Sequence, residues 1–131
     1  MEKQLKQVEE FHNAFGQDNG DSPRTIKWKD CQLRYKLIKE ESDEYLEACA
    51  KQSLDQIADA LGDQLYILCG TILRHGMQHI IEEVFDEIHL SNMSKLGEDG
   101  QPVLREDGKI TKGPNYFPPN LIKIIDASSS L

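Results

Sequence analysis

No apolar run in the sequence approaches the roughly 20 residues that a helix needs to cross a bilayer. Residues 1–15 lack the apolar stretch and small-residue cleavage site of a secretory signal. A cytoplasmic protein without a membrane partner is the expectation. The three cysteines, Cys31, Cys49 and Cys69, are odd in number and far apart. No CxxC pair points to zinc or redox chemistry, and a reducing compartment fits them. The phosphate-cradling pattern GxxxxGK[ST] is missing, which argues against a P-loop enzyme. So is any repeat of 20–50 residues. Basic residues are also scarce: Lys and Arg number 15 against 23 Asp and Glu, for a net charge of -8. The excess acid lies entirely before Ser91, because the remaining residues carry equal numbers of each sign. A partner of nucleic acid polymer is disfavoured, since phosphate backbones are held by basic side chains that release counterions.

What is present fits one globular domain of 131 residues with 38% apolar composition. Leu5, Val8, Phe11, His12 and Phe15 follow three- and four-residue steps, so a first amphipathic helix is predicted over 2–15, with Gly16 as its stop. Residues 16–23 concentrate turn formers and read as a loop. From about 27 to 52 neither Gly nor Pro interrupts a second helix, whose apolar positions include Cys31, Leu33, Leu37, Ile38, Tyr45, Ala48 and Cys49. Ser53 and Gln56 match a capping box for a third helix from about Leu54. Its apolar stripe is Ile57, Leu61, Leu65, Leu68 and Ile72, and it ends at His75-Gly76. Ile80, Ile81, Val84, Phe85 and Ile88 carry a fourth helix to about Leu90. The prediction is an all-α, four-helix bundle-like core over about 1–90 and a short hairpin or irregular tail over about 91–131. Two Glu-Asp-Gly turns fall in that tail, the second between the short extended segments PVLR and KIT. A last helical turn or two is expected over 120–126 and a frayed end over 127–131. Trp28 reads as a packing anchor, with base stacking as the alternative.

The informative chemistry is acidic. Glu40 and Glu44 stand one turn apart on the second helix, with Glu41 about 100° round from Glu40. Asp59 and Asp63 repeat the one-turn spacing on the third helix, beside its apolar stripe. If the two helices form an antiparallel hairpin about the turn near Gln52-Ser53, Glu44 and Asp63 lie at similar heights and the acidic sets converge. Carboxylates brought together near an apolar core cannot all stay ionised without a cation. Oxygen ligands lacking Cys and His select Mg²⁺, with Mn²⁺ as a substitute, over zinc. His75 and His79 share the spacing of a two-histidine site, but no HExxH general base accompanies them, so they read as residues flanking helix ends.

These residues resemble the all-α nucleoside triphosphate pyrophosphohydrolases of the MazG and phosphoribosyl-ATP pyrophosphohydrolase type. Their signature is EExxE on one helix and a second acidic motif, usually ExxD, on the next. Glu40-Glu41-Ser42-Asp43-Glu44 fits the first part. In the second, Asp63 suits the final aspartate, but Ala60 occupies the position three before it. Asp59 substitutes, as in relatives with a D-A-L-x-D pattern. The segments VEEFHNAFG, DALGDQLYILCGTILRHG and SNMSKLGEDGQPVLREDGKITKGPNYFPPNL look like a single-copy MazG-like subgroup. The resemblance implies Mg²⁺-dependent cleavage of a nucleoside triphosphate between its α and β phosphates, giving a monophosphate and pyrophosphate. It also implies a homodimer or dimer of dimers.

In that light Mg²⁺ is expected on Glu40, Glu44 and Asp63 with Asp59 assisting, and Glu41, turned aside, is expected to position or deprotonate the attacking water. Lys95, Lys109 and Lys112, with Asn92 and Tyr116, are expected to bind the substrate, their amines neutralising phosphate charge that carboxylates alone would repel. Two other readings stay open. One is phosphoribosyl-ATP pyrophosphohydrolase of histidine biosynthesis, disfavoured by the long tail; the other is a non-catalytic helical dimerisation module.

Overall fold

Apolar residues at helical spacing, broken by Gly and Pro clusters, give a chain of five helices in the computed structural model, which describes residues 1–129. They are α1 (Glu2–Ala14), α2 (Trp28–Ala50), α3 (Leu54–Arg74), α4 (Ile81–Met93) and α5 (Leu121–Ser129). Strand pairing among the described residues is confined to one antiparallel bridge, Leu104 with Ile110. The all-α class holds. No helix among the described residues is long and apolar enough to cross a membrane. The chain divides into two compact units, Met1–His79 and Ile80–Leu131. The fourth helix therefore groups with the tail that follows it rather than with the first three helices.

In the first unit α2 and α3 pack along their lengths as an antiparallel hairpin, and α1 lies on α3. Leu5 and Val8 of α1, Ala48 of α2, and Ala60, Cys69 and Leu73 of α3 are buried. The turn between α2 and α3 closes with the Ser53 amide donating to the Ala48 carbonyl and the Gln52 amide to the Cys49 carbonyl. Gln52 takes a left-handed φ of 52°, where glycine is the usual occupant. Ser53 is the N-cap of α3, but the expected capping box is absent. Its hydroxyl donates instead to the Asp55 carboxylate at 2.6 Å, and that carboxylate also accepts from the Gln56 backbone amide at the start of the helix.

The loop of residues 16–23 is strapped to the end of α3. The Gly20 amide donates to the Leu73 carbonyl at 2.7 Å and the Arg24 amide to the His75 carbonyl at 2.9 Å. His75 Nδ1 bonds the Arg24 carbonyl at 2.9 Å, so this histidine flanks a helix end as expected. Gly76, at φ +66°, is so close to the chain at Ser22 that a Cβ there would collide with the Ser22 carbonyl. Arg74 ties the loop and α2 together through Asp18 at 3.3 Å and Asp30 at 3.1 Å.

Two expectations about packing are corrected. Trp28 is 75% exposed, so among the described residues it is no packing anchor: it opens α2, at the first position of the helix, with its ring largely in solvent. The α3 stripe is only partly interior: Ile72 is buried, while Leu61, Leu65 and Leu68 are each about half exposed. The buried face of α3 is instead set by Ala60, Cys69, Gly70, Ile72 and Leu73.

In the second unit the segment between α4 and α5 is held by backbone-directed bonds. Ser91 Oγ donates to the Phe117 carbonyl at 2.8 Å, and the Gly113 amide donates to the Lys95 carbonyl at 2.9 Å. The Asp107-Gly108 turn closes the expected hairpin, with the Arg105 amide donating to the Lys109 carbonyl and the Thr111 amide to the Val103 carbonyl. Gly108 supplies the positive φ, +81°. The last helix reaches Ser129, so 127–129 are helical, and the rest of the expected frayed end lies outside the described residues.

Candidate functional site

The inward face of α2 repeats every seven residues, two helical turns: Arg34 and Ala48 are buried, and Glu41 falls midway between them on the same face. Glu44 follows Glu41 by three residues and Asp63 faces them from α3. One carboxylate oxygen from each of Glu41, Glu44 and Asp63 lies within 4.8 Å of the others. This differs from the expected trio. Glu40, about 100° from Glu41 around the helix, is exposed and outside the group, while Glu41 is turned toward α3 rather than aside. The α2–α3 pairing at this height is marked by Gln64 Nε2, which donates to Ser42 Oγ at 3.4 Å.

Glu41 carries the electrostatic stress of the group. Its Oε2 is buried without a hydrogen-bond partner. Burial, then a hydrogen bond with Glu44, then the negative charges of Glu44, Asp63 and Asp59 push its carboxyl up to about 7 from the ordinary value of 4.5. Asp59 thus contributes through its charge from one turn earlier on α3. Asp43, which completes the acidic run, points elsewhere and pairs with Lys39 at 3.0 Å on the exposed side.

An acidic group of this kind has two ways to relieve its repulsion: hold a proton, as the raised Glu41 value describes, or hold a cation. The orphaned oxygen, the short spacing and the all-oxygen donor set fit a hard divalent ion. Among the described residues neither His75 nor His79 joins the group. The cysteines are free thiols, with Cys69 buried and Cys31 and Cys49 half-buried.

The five residues expected to bind substrate all belong to the second unit. Asn92 is in the last turn of α4 rather than in a hairpin or irregular tail, and Lys95 follows two residues after that helix ends. Lys109 stands in the hairpin, one residue after Gly108. The Lys112 ammonium lies 4.7 Å from the centre of the Tyr116 ring, a cation–π contact. One buried group two helical turns from Glu41 on the same face of α2, Arg34, was not legible in the sequence. Its only signal was its position on the same seven-residue phase as Glu41, where an arginine ordinarily reads as a solvated charge.

The sequence profile described as phosphoribosyl-ATP pyrophosphohydrolase matches residues 8–92, from α1 through nearly all of α4. Among solved structures, a protein from Exiguobacterium sp. 255-15 provisionally named an NTP pyrophosphohydrolase is similar at 25% identity. The likeness covers 97% of this chain and 94% of that one, with a TM-score of 0.49. None of the curated proteins matches. The profile spans well over half of the chain and takes in both acidic helices, and the chain accordingly belongs to the phosphoribosyl-ATP pyrophosphohydrolase family of pyrophosphohydrolase enzymes.

Proposed function

We propose that this enzyme is a Mg²⁺-dependent nucleoside triphosphate pyrophosphohydrolase that cleaves between the α and β phosphates to give a monophosphate and pyrophosphate. The observation that carries the reading is the convergence of Glu41, Glu44 and Asp63 around a buried, unpartnered Glu41 oxygen. These three would hold the ion, with Asp59 adding charge. The centre of the proposed ligand set thus moves from Glu40 to Glu41. A bound Mg²⁺, or Mn²⁺ in its place, supplies polarisation and charge neutralisation at the phosphoryl oxygens.

Glu41, whose Oε2 is buried without a hydrogen-bond partner, is also the carboxylate proposed to orient and deprotonate the attacking water, being ionised when a cation relieves the repulsion. That water's oxygen bonds to a phosphorus of the α–β anhydride while its proton passes to Glu41. The bridging P–O bond breaks, and the bond's electron pair leaves with the bridging oxygen on the other product, so that monophosphate and pyrophosphate are released. Catalysis of this kind is mostly alignment and electrostatic stabilisation. For the substrate we propose contacts from Asn92, Lys95, Lys109, Lys112 and Tyr116, the amines meeting phosphate charge.

A second copy of the chain is the proposed cover for Leu61, Leu65 and Leu68, three half-exposed leucines on one face of α3. Sedimentation of the full chain tests this: a dimer or larger species supports it, and a stable monomer at micromolar concentration contradicts it. The free cysteines fit the proposed cytoplasmic setting.

A second substrate reading has its own support, because the matching profile is named for phosphoribosyl-ATP. Against it, the match stops at residue 92 and leaves the hairpin segment and α5 outside the shared region. A panel of ribo- and deoxyribonucleoside triphosphates with phosphoribosyl-ATP, assayed with Mg²⁺ and with chelator, separates the two. Turnover of a triphosphate, abolished by chelator, supports the proposal. Turnover of phosphoribosyl-ATP alone contradicts it.

A further inference from the structure

Arg34 is 8% exposed, and its hydrogen bonds all cross to α3: Nε donates to Thr71 Oγ1 at 3.0 Å and Nη2 to the Ile67 carbonyl at 2.8 Å. Thr71 Oγ1 in turn donates to that same carbonyl at 3.0 Å. Asp30, one turn earlier on α2, is engaged by Arg74. Burying a guanidinium is costly, and here burial and the neighbouring charge of Arg74 hold its pKa below the usual arginine range.

We propose that Arg34 is a positioning residue for the carboxylate group, fixing the height of α3 against α2 so that Asp63 stays opposite Glu41 and Glu44. The inference rests on the metal-centre reading above. A carboxylate partner could swing on its side chain, whereas the Ile67 carbonyl is rigid within the helix, so a bond to it fixes the position of the helix itself. The spacing matches on the two helices. Arg34 precedes Glu41 by seven residues and Thr71 follows Asp63 by eight, about 10–12 Å of rise in opposite directions. The Arg34–Thr71 and Glu41–Asp63 pairings therefore belong to one antiparallel register.

Gly70 is an independent sign that the fold accommodates this contact. A Cβ at this mid-helix position would lie 2.5 Å from Arg34 Nη2 and 3.0 Å from His12 Nε2. Glycine weakens a helix interior, and its presence here leaves room for the guanidinium between α3 and α1. His12, itself buried and bonded through Nδ1 to Asn19 Oδ1 at 2.6 Å, closes the space from α1.

The test is Mn²⁺ binding to the full chain without nucleotide, read from the free-ion electron paramagnetic resonance signal. Thermal melts establish that each protein is folded at the assay temperature. Arg34→Met keeps an unbranched apolar stem, shorter than arginine by the end of the guanidinium, and loses both bonds to α3. Its Mn²⁺ affinity is expected to fall about 10-fold or more, the scale on which groups supporting metal ligands act. Arg34→Lys, able to reach one acceptor but lacking the planar fork, is expected to fall between Met and wild type. A purely structural arginine lowers the melting temperature and leaves the affinity of the folded protein unchanged. Folded Arg34→Met that binds Mn²⁺ within twofold of wild type therefore overturns the proposal. If Arg34→Met does not fold, Gly70→Ala places a Cβ 2.5 Å from Nη2 and displaces the guanidinium from the Ile67 carbonyl, and an unchanged affinity in that folded variant overturns the proposal equally. Wild type that binds no Mn²⁺ overturns the metal-centre reading itself, a result distinct from the other two.

Discussion

Glu41 on α2 and Asp63 on α3 bring their carboxylate oxygens within 4.8 Å, although the whole α2–α3 turn separates them in sequence. Glu41 responds by holding its proton to about pH 7. The consequence for stability has a definite sign. A carboxyl with a folded-state pKa raised from 4.5 to about 7 contributes stability that is fully present below pH 4.5 and is lost as pH rises through 7. The metal-free protein should melt at a lower temperature at pH 8 than at pH 5, and Glu41→Gln should flatten that slope. Calorimetric melts in chelator across this range check it. Equal slopes in the two proteins would contradict the account of Glu41.

Mg²⁺ is expected to act by mass action on the same group, since an ion that binds only the folded chain stabilises it. Glu44→Gln relieves part of the repulsion and removes a ligand. The metal-free variant should melt at or above metal-free wild type, yet gain little from millimolar Mg²⁺. Melts in NaCl of matched ionic strength are the control: a solvated acidic face would respond alike to both salts.

Asp63→Asn should leave the helical fold intact and lower the hydrolysis rate by about 100-fold or more, since even groups that only support a metal ligand commonly cost 10–100-fold. Circular dichroism alongside steady-state rates distinguishes this from unfolding. Loss of less than threefold would remove Asp63 from the site.

The α2–α3 turn offers a test remote from the chemistry. Gln52 occupies a left-handed conformation that costs a non-glycine residue about 1–2 kcal/mol. Gln52→Gly should raise stability by up to about 1 kcal/mol, the balance being lost to the greater freedom of the unfolded chain. Gly76→Ala should do the reverse, by about 1–3 kcal/mol, because it adds a Cβ against the Ser22 carbonyl at a positive φ. Denaturant melts measure both.

Much of the architecture was legible because helical periodicity and glycine stops are local signals. The reading places α3 from Leu54 and its end at His75-Gly76, and the observed helix is Leu54–Arg74. The Asp107-Gly108 hairpin was legible for the same reason. Facing directions were harder. One-turn spacing makes Glu40 and Glu44 a natural pair, and only the phase of buried Arg34 and Ala48, which requires the tertiary structure, shows that Glu41 points at α3. Leu61, Leu65 and Leu68 show the same limit. Periodicity reports that a face is apolar but not which neighbour covers it. Arg34 was invisible because an arginine is buried only when a partner as specific as the Ile67 carbonyl awaits it.

The central claim, cleavage at the α–β anhydride under Mg²⁺, is tested most directly by following the phosphorus nuclear magnetic resonance spectrum of a nucleoside triphosphate incubated with enzyme and Mg²⁺. The account predicts that nucleoside monophosphate and pyrophosphate rise together from the first time point, with no diphosphate intermediate, and that Glu41→Gln all but abolishes both signals. Early appearance of nucleoside diphosphate with orthophosphate would contradict it.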